Sequence, residues 1–470
     1  MAYRSIILPL LALILAFGGK QSYAQQASEI RLLIDSGQYE KALPMARQLV
    51  AKSPKQPDNN YLLGSLLYKV RRYDEAVEPL RVATSKRADA YELLADAYAK
   101  GYHFSEALTT LERYRATLVK KKQETTRVDV EMERMRRGSR LLDRAEWIEV
   151  FDSVRIRKQD LLSAYHLTAD NGNISWLQGS QAEATTFVNG RGDFSLVTRK
   201  DSAGRYDLYE ANFIHNRWSD VQPLDRLNTE YDDNYPSMRA DGITVLFASN
   251  RPNGLGGYDL YMARRDLEEG TFLEPVLLGM PFNSPFDDYL LVYDEARGIG
   301  FFASDRFCPA DTAVVYTFAI NDAVRPVATD DLDVKRGYAS LRSIAVTLDE
   351  DRDYSELIAM ARDVRTDAEK KASEHQIYFP MQGLRVYTKW NDFRSREARS
   401  RYQDVVAKAK KLDQSTARLE QLRRQYGEAP TAERNRLRQE ILQLENSIPA
   451  MQREINALEK EVRNLEMQSQ

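Results

Sequence analysis

One sequence pattern occurs twice between residues 224 and 306, with every matched position separated by 55 residues. The shared positions are Asn228 and Asn283, Asp232-Asp233 and Asp287-Asp288, Phe247 and Phe302, Ser249 and Ser304, and Arg251 and Arg306. An internal repeat constrains the fold more than any other feature, because each copy must form the same structural unit and pack on its neighbour. The chain therefore contains at least two copies of one unit.

Each copy has the signals of short antiparallel strands. A turn signal, Asp241-Gly242 in the first copy and Gly298 in the second, lies beside an apolar run at residues 243–249 or 299–304. A further strand at residues 258–263 follows across a Gly-rich turn. A repeat of about 40–55 residues built in this way is typical of a β-propeller blade.

A weaker copy precedes these two, at an offset of 52 residues. Asn189-Gly190 takes the place of Asp241-Gly242, Arg199 that of Arg251, and the Tyr-Asp-Leu-Tyr run at 206–209 that of 258–261. We therefore predict a β-propeller over residues 145–393, with a divergent first blade at 147–176. Five or six blades are expected from the length of this region.

The strand pattern stops after residue 322. Residues 341–364 have helix-like stretches, and strand-like runs return at 375–379 and 384–388. Propellers commonly close by pairing a late strand with an early one, so we expect residues 376–388 to complete a blade. Residues 338–371 would then form a helical insertion.

The chain ahead of the strands has helical periodicity. Tyr39, Ala42 and Ala46 are matched by Tyr73, Ala76 and Leu80 at an offset of 34 residues, and these by Phe104, Ala107 and Leu111 at an offset of 31. Such spacing is typical of tetratricopeptide repeats, in which a small residue permits a close helix crossing and a large one fills the next layer. The sequence predicts an N-terminal α-solenoid of these repeats over residues 25–140.

The first residues have the pattern of a cleaved signal peptide. Arg4 gives a positive start, residues 6–17 form a short apolar run, and Ser22-Tyr23-Ala24 is a small-x-small cleavage site. The apolar run is too short to span a bilayer comfortably. We expect residues 1–24 to be removed and the mature protein to be periplasmic, with peripheral association at the outer membrane as a further expectation.

Residues 394–470 carry the heptads of a coiled coil. Ile441, Ile448, Ile455 and Val462 occupy one heptad position, and Leu437, Leu444, Met451, Leu458 and Leu465 occupy the other. Looser heptads run from Tyr402 to Tyr426, and the break at 427–430 favours an antiparallel helical hairpin. A parallel dimer is the alternative. Pro449 is expected to kink or restart the second helix, with Ser447 as its cap.

Charge and motifs argue against several classes of function. The chain has 67 Lys and Arg against 70 Asp and Glu, a formal net charge of −3, so no overall positive field favours nucleic acid. The single Cys308 cannot form an internal disulfide, and no two of the four His lie at metal-ligand spacing. The sequence has no nucleophile elbow, phosphate-binding loop or zinc motif. We expect no catalytic residue, cofactor or metal and no enzymatic activity.

The acidic pairs and the repeated arginines are the candidate site residues. They are Asp232, Asp233, Asp287, Asp288, Arg251 and Arg306. Two carboxylates per blade could supply oxygen ligands to a hard cation such as calcium. Because the same positions recur in separate blades, the simpler interpretation is a local one, in which the carboxylates accept hydrogen bonds from turn amides or from the arginines. We expect a role in blade structure or interaction and keep the metal site as the alternative.

The repeated pattern also resembles a known family. An Asn-x-x-x-Asp-Asp run, then Phe-Ala-Ser-Asn-Arg-Pro, then Gly-Gly-Tyr-Asp-Leu-Tyr is similar to the WD-repeat-like blades of bacterial envelope proteins. These include the periplasmic propeller of the Tol system and the tetratricopeptide-propeller proteins of the Bacteroidetes envelope. The resemblance covers residues 27–393 and implies an envelope role beside outer-membrane secretion or gliding machinery. Members tied to the cell wall end in an OmpA-like domain, whereas this chain ends in a coiled coil.

Together these features predict a multidomain α and β protein with a solenoid, a propeller and a coiled-coil hairpin. Three interaction architectures without a catalytic motif favour a scaffold that binds envelope proteins through the repeat groove, the propeller face and the coiled coil. Self-association through the coil is a further expectation. The alternative function is a propeller that binds a glycan or peptide at its central mouth, or hydrolyses it.

Overall fold

The structure is a computed structural model of the chain. It describes residues 23–168, 171–177, 183–214, 217–219, 221–321, 323–362, 379–381, 386–387, 390–428 and 431–469. The predicted signal peptide at 1–24 lies almost wholly outside these residues. The chain divides into two compact units, Met1–Val364 and Arg365–Gln470. The structure contains helices, then antiparallel sheets, then helices, as the sequence predicts.

The first unit begins with seven α-helices. They are α1 (Tyr23–Asp35), α2 (Tyr39–Lys52), α3 (Pro57–Lys69), α4 (Tyr73–Ala83), α5 (Asp89–Lys100), α6 (Phe104–Lys120) and α7 (Thr126–Asp143). The predicted small residues lie where helices cross, and Ala42, Ala76 and Ala107 are fully buried. A Cβ atom at Gly64 would lie only 2.6 Å from the Leu80 side chain. The closeness of the helices is therefore set by the size of these residues.

Three antiparallel sheets follow, each with the strand order of a propeller blade. Sheet 1 contains β2 (Asn173–Trp176), β3 (Thr185–Val188), β4 (Phe194–Lys200) and β5 (Tyr206–Ile214), with β6 (Arg217–Trp218) and β7 (Gln222–Pro223) paired to β5. Sheet 2 contains β8 (Asp233–Met238), β9 (Thr244–Ser249), β10 (Asp259–Arg264) and β11 (Val276–Leu277). Sheet 3 contains β12 (Asp288–Asp294), β13 (Ile299–Ser304), β14 (Thr312–Ala319) and, at its outer edge, β1 (Glu149–Arg157).

The position of β1 corrects the prediction of a divergent first blade at 147–176. β1 pairs with β14, a 3₁₀ helix follows at Lys158–Ala164, and β2 joins sheet 1. Three sheets of four or more strands are present among the described residues, fewer than the five or six blades expected. An early strand does complete a late sheet, but it comes from the N-terminal side of the repeats.

Helices replace strands after sheet 3. The segment contains α8 (Leu332–Ser340), a 3₁₀ helix at Ile344–Thr347 and α9 (Ser355–Arg362). Residues 363–371 of the predicted insertion at 338–371 lie outside the described residues. This segment packs against β1, where the Val150 amide donates a hydrogen bond to Thr347 Oγ1 at 3.1 Å. The outer edge of sheet 3 is thereby covered, as exposed strand edges generally require.

We call β3, β8 and β12 the inner strands, because these strands of the three sheets lie side by side. They run in the same direction. Near the starts of β3 and β8, Asn234 Nδ2 donates a hydrogen bond of 2.7 Å to the Glu183 carbonyl. Just beyond the ends of β8 and β12, Arg239 Nε lies 2.7 Å from Glu295 Oε1. Equivalent parts of the repeat are therefore neighbours in space.

This arrangement gives the sheets two distinct ends. The turns at residues 189–193, 239–243 and 295–298 follow the inner strands and share one end, which we call the turn end. The loops at residues 250–258, 279–287 and 305–311 lie at the opposite end, which we call the helical end because helices contact it, as described below.

The second unit is built on a helical hairpin of α10 (Arg396–Glu428) and α11 (Thr431–Gln468). Ion pairs between described side chains join the helices, namely Arg401–Glu461, Lys408–Glu454, Arg418–Glu440 and Arg423–Glu445. A residue near the start of α10 pairs with one near the end of α11, as in Arg401–Glu461, and a residue near the end of α10 pairs with one near the start of α11, as in Arg418–Glu440, so the helices are antiparallel. α11 continues through Pro449, and Ser447 donates to the Leu444 carbonyl rather than capping a new helix.

The predicted closing strand belongs to this second unit. In the described part of 376–388, β15 (Phe379–Pro380) pairs only with β16 (Val386–Tyr387), so the prediction that it completes a blade is wrong. Its aromatic residues, with Phe393, instead form a core against Tyr402 of the hairpin. The break between units at residue 364 accordingly precedes the boundary predicted at 393.

Candidate functional site

In sheet 2, the repeated motif forms a buried ion pair. Arg251 Nη2 donates to Asp233 Oδ1 at 2.6 Å, and Arg251 Nε donates to Ser249 Oγ at 2.9 Å. The other oxygen of Asp233 accepts hydrogen bonds from the amide and hydroxyl of Thr229. A charge in the protein interior is tolerated only when it is paired and hydrogen-bonded in this way.

Sheet 3 repeats the arrangement atom for atom. Arg306 Nη2 donates to Asp288 Oδ1 at 2.6 Å, and its Nε donates to Ser304 Oγ at 2.8 Å. Ser284 donates to the second oxygen of Asp288. Complete burial raises the pKa of Asp288 above its ordinary value, and the charge of Arg306 opposes that rise. The pair therefore holds the start of β12 to the end of β13.

The first Asp of each acidic pair connects neighbouring sheets. Asp232 Oδ1 accepts a hydrogen bond from the Tyr206 amide of sheet 1 at 2.9 Å. Asp287 Oδ1 accepts one from the Tyr258 amide of sheet 2 at 3.0 Å. Each acceptor thus binds the first residue of the Tyr-Asp-Leu-Tyr run in the preceding sheet.

The repeated asparagines make a second connection, at the third residue of the same runs. Asn228 accepts from the Leu208 amide at 2.7 Å and donates to the Leu208 carbonyl at 2.9 Å. Asn283 makes the same two bonds with Leu260, at 2.6 and 2.9 Å. The repeat detected in the sequence therefore includes the contacts between units.

These contacts do not bring the six candidate residues to one point, since four of them form two ion pairs and the other two bind backbone amides. Asp233 lies with Arg251 and Asp288 with Arg306, while Asp232 and Asp287 bind amides of different strands. Among the residues that the structure describes, no group of three or more His, Cys, Asp or Glu side chains could hold a metal ion. The repeated carboxylates thus lack the convergence that a calcium site requires.

Asp259, which the sequence did not single out as a site residue, organises the loop between β9 and β10. The carboxyl is completely buried, and Oδ2 accepts from the amides of Leu255 and Gly256 at 2.7 and 2.9 Å. Burial, with a further contribution from the charge of Asp288, raises the pKa of Asp259 to about 8. A Cβ atom at Gly254 would lie 2.2 Å from Oδ2, so this loop requires glycine.

The loops at the helical end insert apolar side chains between the helices of the repeats. Leu255 and Phe286 are buried in one cluster with Tyr102 of the α5–α6 turn and Met135 of α7. Phe286 also contacts the ring of Tyr73 in α4, with ring centres 5.7 Å apart. The helices and the loops of the sheets consequently share one hydrophobic cluster.

Cationic side chains of the helices bind backbone carbonyls of the same loops. Lys100 Nζ donates to the Pro285 carbonyl and lies 4.4 Å from the centre of the Phe286 ring. Arg137 donates to the Gly254 carbonyl at 2.6 Å, and Arg71 donates to the Asp305 carbonyl at 3.0 Å. Burial lowers the pKa of Lys100 below its ordinary value, although nearby carboxylates oppose this.

This interface limits the expectation that partner proteins bind in the repeat groove. The helix faces contributed by α5 and α7 are filled by loops of the chain itself, so that part of the repeat groove does not present a free surface. An open depression of about 940 Å³ lies at the other end of the repeats, beside Arg31 of α1 and Lys55 before α3. At the turn end of the sheets there is a smaller cavity of about 250 Å³.

Comparison with known proteins supports the assignment of the helical repeats. Residues 35–114 match the model of a family with tetratricopeptide-like repeats, described as anaphase-promoting complex, cyclosome, subunit 3. The N-terminal helices are tetratricopeptide-like. The match covers less than a fifth of the chain and does not extend to the sheets or the hairpin. No curated protein matches the chain.

The helices of the structure also bear on membrane insertion. None of the described helices combines the length and apolar character needed to cross a bilayer.

Proposed function

We propose that the protein is a non-enzymatic adaptor that is exported and joins partner proteins in the cell envelope, beside outer-membrane secretion or gliding machinery. The observation that carries this proposal is the match of residues 35–114 to a tetratricopeptide-like family, since such repeats generally mediate protein contacts. The signal-peptide pattern at residues 1–24 supports an envelope location. Peripheral attachment at the outer membrane would then occur through partner proteins.

The hairpin is the surface that we assign to a partner in this proposal. Val406 of α10 and Leu442 of α11 are 42% and 46% exposed, which is high for large apolar residues in a helical hairpin. Several seam residues near the middle of α11 are also only half-buried, whereas Ile455 and Val462 near its end are buried. Incomplete packing in the middle of the seam is consistent with a third helix from a partner.

Site-specific crosslinking in cells tests this assignment. A photo-reactive residue at Val406 or Leu442 should crosslink to envelope proteins, whereas one at the exposed loop residue Ala203 should not. Equal labelling at all three positions, or none at the hairpin, would contradict an adaptor that acts through the hairpin.

Two further tests address location and enzymatic activity. Deletion of residues 1–24 should leave the protein in the cytoplasm, and normal recovery in the periplasm would exclude the signal-peptide assignment.

Incubation of the purified protein with peptidoglycan, peptide and glycan panels should give no products. Detection of a cleaved product would instead support the alternative of a hydrolase.

Binding of a small ligand by the sheets is a second candidate function. The specific observation in its favour is the cavity at the turn end, because the opposite end of the sheets is occupied by the helices.

A further inference from the structure

The cavity at the turn end lies between two turns of the repeat. Asn189 and Arg191 of sheet 1 and Arg239 and Asp241 of sheet 2 contribute to its lining. It has a volume of about 250 Å³, just under the range of about 300–1,000 Å³ common for drug-sized ligands. Such a volume suits a single small moiety rather than an extended polymer segment.

The charged groups of the lining are already compensated by neighbouring protein groups. Arg239 Nε is paired with Glu295 at 2.7 Å, and Arg191 Nε lies 3.3 Å from Asp193. The carboxylate of Asp241 accepts hydrogen bonds from its own turn. An anionic or cationic ligand would have to compete with these contacts, so the lining favours an uncharged ligand.

The lining nevertheless offers both hydrogen-bond donors and acceptors. Guanidinium groups donate only and carboxylates accept only, and the side chains of Arg191, Arg239 and Asp241 supply both kinds of group. The amides of Asn171 and Asn189 are already hydrogen-bonded to Tyr293 and to Asp193. A ligand with several hydroxyl groups matches such a mixture, because each hydroxyl can donate and accept. The remaining lining includes the apolar side chains of Phe187 and Met238, which suit the C–H surface of a ring.

Two observations show that the cavity is open to solvent. Gly242 has a φ of +69°, and a Cβ atom there would meet nothing within 4 Å, so the space beside this residue is empty. The turn end also lies opposite the loops that carry Leu255 and Phe286 into the helices, so the helices do not cover it through those contacts. A ligand can therefore approach from solvent.

We propose that this cavity binds one neutral sugar residue of a glycan. The site lies in the sheets and is independent of the hairpin surface assigned to protein partners. It deepens the second candidate function by naming an uncharged polyhydroxylated ring as the ligand and the turns of sheets 1 and 2 as its site.

Binding of the full-length protein to a defined panel tests the proposal. Calorimetry measures the binding of neutral monosaccharides and disaccharides, of the matching uronic acids and of short peptides. Binding to immobilised neutral glycans is measured separately. We expect a neutral sugar to bind and the uronic acid to bind at least tenfold more weakly. Free sugars and immobilised glycans distinguish a single residue from a residue within a chain. Preference for an acid or a peptide, or no sugar binding at millimolar concentration, would overturn the proposal.

A cavity-filling variant locates the site. Ala240→Trp should reduce sugar affinity at least tenfold because the indole occupies the cavity. Its matched control is Ala296→Trp, which changes an exposed alanine in the corresponding turn of sheet 3 and should leave affinity unchanged. If Ala240→Trp fails to fold, Arg191→Ala provides the test, since Arg191 is 82% exposed and its removal spares the core. Full retention of affinity in the folded variant would refute this site.

Discussion

Sheets 1 and 2 carry the same repeat but use it differently. In sheet 2, Arg251 is buried against Asp233, and the following loop carries Leu255 into the helices. In sheet 1, Arg199, which the 52-residue offset matches to Arg251, is exposed and lies within β4 opposite Asp207. The following turn is held by Asp201, which accepts from the amides of two later residues in that turn. The complete motif thus occurs in sheet 2, where the following loop packs against the helices. In sheet 1 a local turn takes its place.

The largest expected effect comes from breaking the buried pair of sheet 3. Arg306→Ala should destabilise the protein by about 3–5 kcal/mol, because it leaves Asp288 buried without its charge partner. The matched change in sheet 1, Arg199→Ala, should stay within about 0.5 kcal/mol, as expected for a surface position. Chemical denaturation measures both. A similar loss in the two variants would show that the sheets do not differ in this respect.

The docking loop of sheet 2 gives the next effect. Leu255→Ala should cost about 2–5 kcal/mol, since it removes a buried side chain and leaves a cavity between helices and sheet. Leu267→Ala changes the same residue type in the same sheet at a position that is 74% exposed, and it should have little effect. The melting temperatures of the two variants provide the comparison. Equal values would argue against the docked loop.

A smaller loss is expected for Asp233→Asn. The amide keeps the shape of the side chain but removes the charge that pairs with Arg251, at a cost of about 1–3 kcal/mol. Calcium and a chelator should leave the melting temperature of the wild-type protein unchanged. A fall on chelation that calcium reverses would instead support a metal site at the acidic pairs.

The last prediction concerns the dependence of stability on pH. Because the pKa of Asp259 is raised to about 8 in the folded protein, above the ordinary value of about 3.9, the fold favours its protonated form. This contribution is complete below about pH 4 and is lost as the pH rises through 8. Asp259→Asn cannot titrate, so its stability relative to wild type should increase between pH 4 and 8. Parallel pH profiles of unfolding for the two proteins would contradict the raised pKa.

The predictable parts of the fold are those specified by local patterns. The helical spacing around Ala76 and Ala107 predicted the helices, and the 55-residue repeat predicted the strands of sheets 2 and 3. The heptads predicted two helices, and the short break at 427–430 favoured the observed antiparallel hairpin. In each case the sequence pattern spans only a few helical turns or a single repeat.

The missed parts depend on contacts between distant residues. The sequence around β1 reads as a strand, but nothing local specifies β14 as its partner. Glu466 is completely buried and accepts hydrogen bonds from the amides of Arg394 and Ser395, a role that appears only once the hairpin has formed. The cavity at the turn end is likewise created by residues of separate sheets. Such features require the assembled fold.

The pairing of β1 with β14 has a consequence for how the protein is made. β1 ends at Arg157 and its partner begins at Thr312, so the ribosome completes the first strand long before its neighbour exists. The helices of the repeats can fold as they emerge, because their contacts are between adjacent segments. Sheet 3 must wait for β14, and closing such a long loop costs chain entropy before any pairing compensates for it. Until then, the newly made chain has an unpaired strand that a chaperone would need to shield from aggregation.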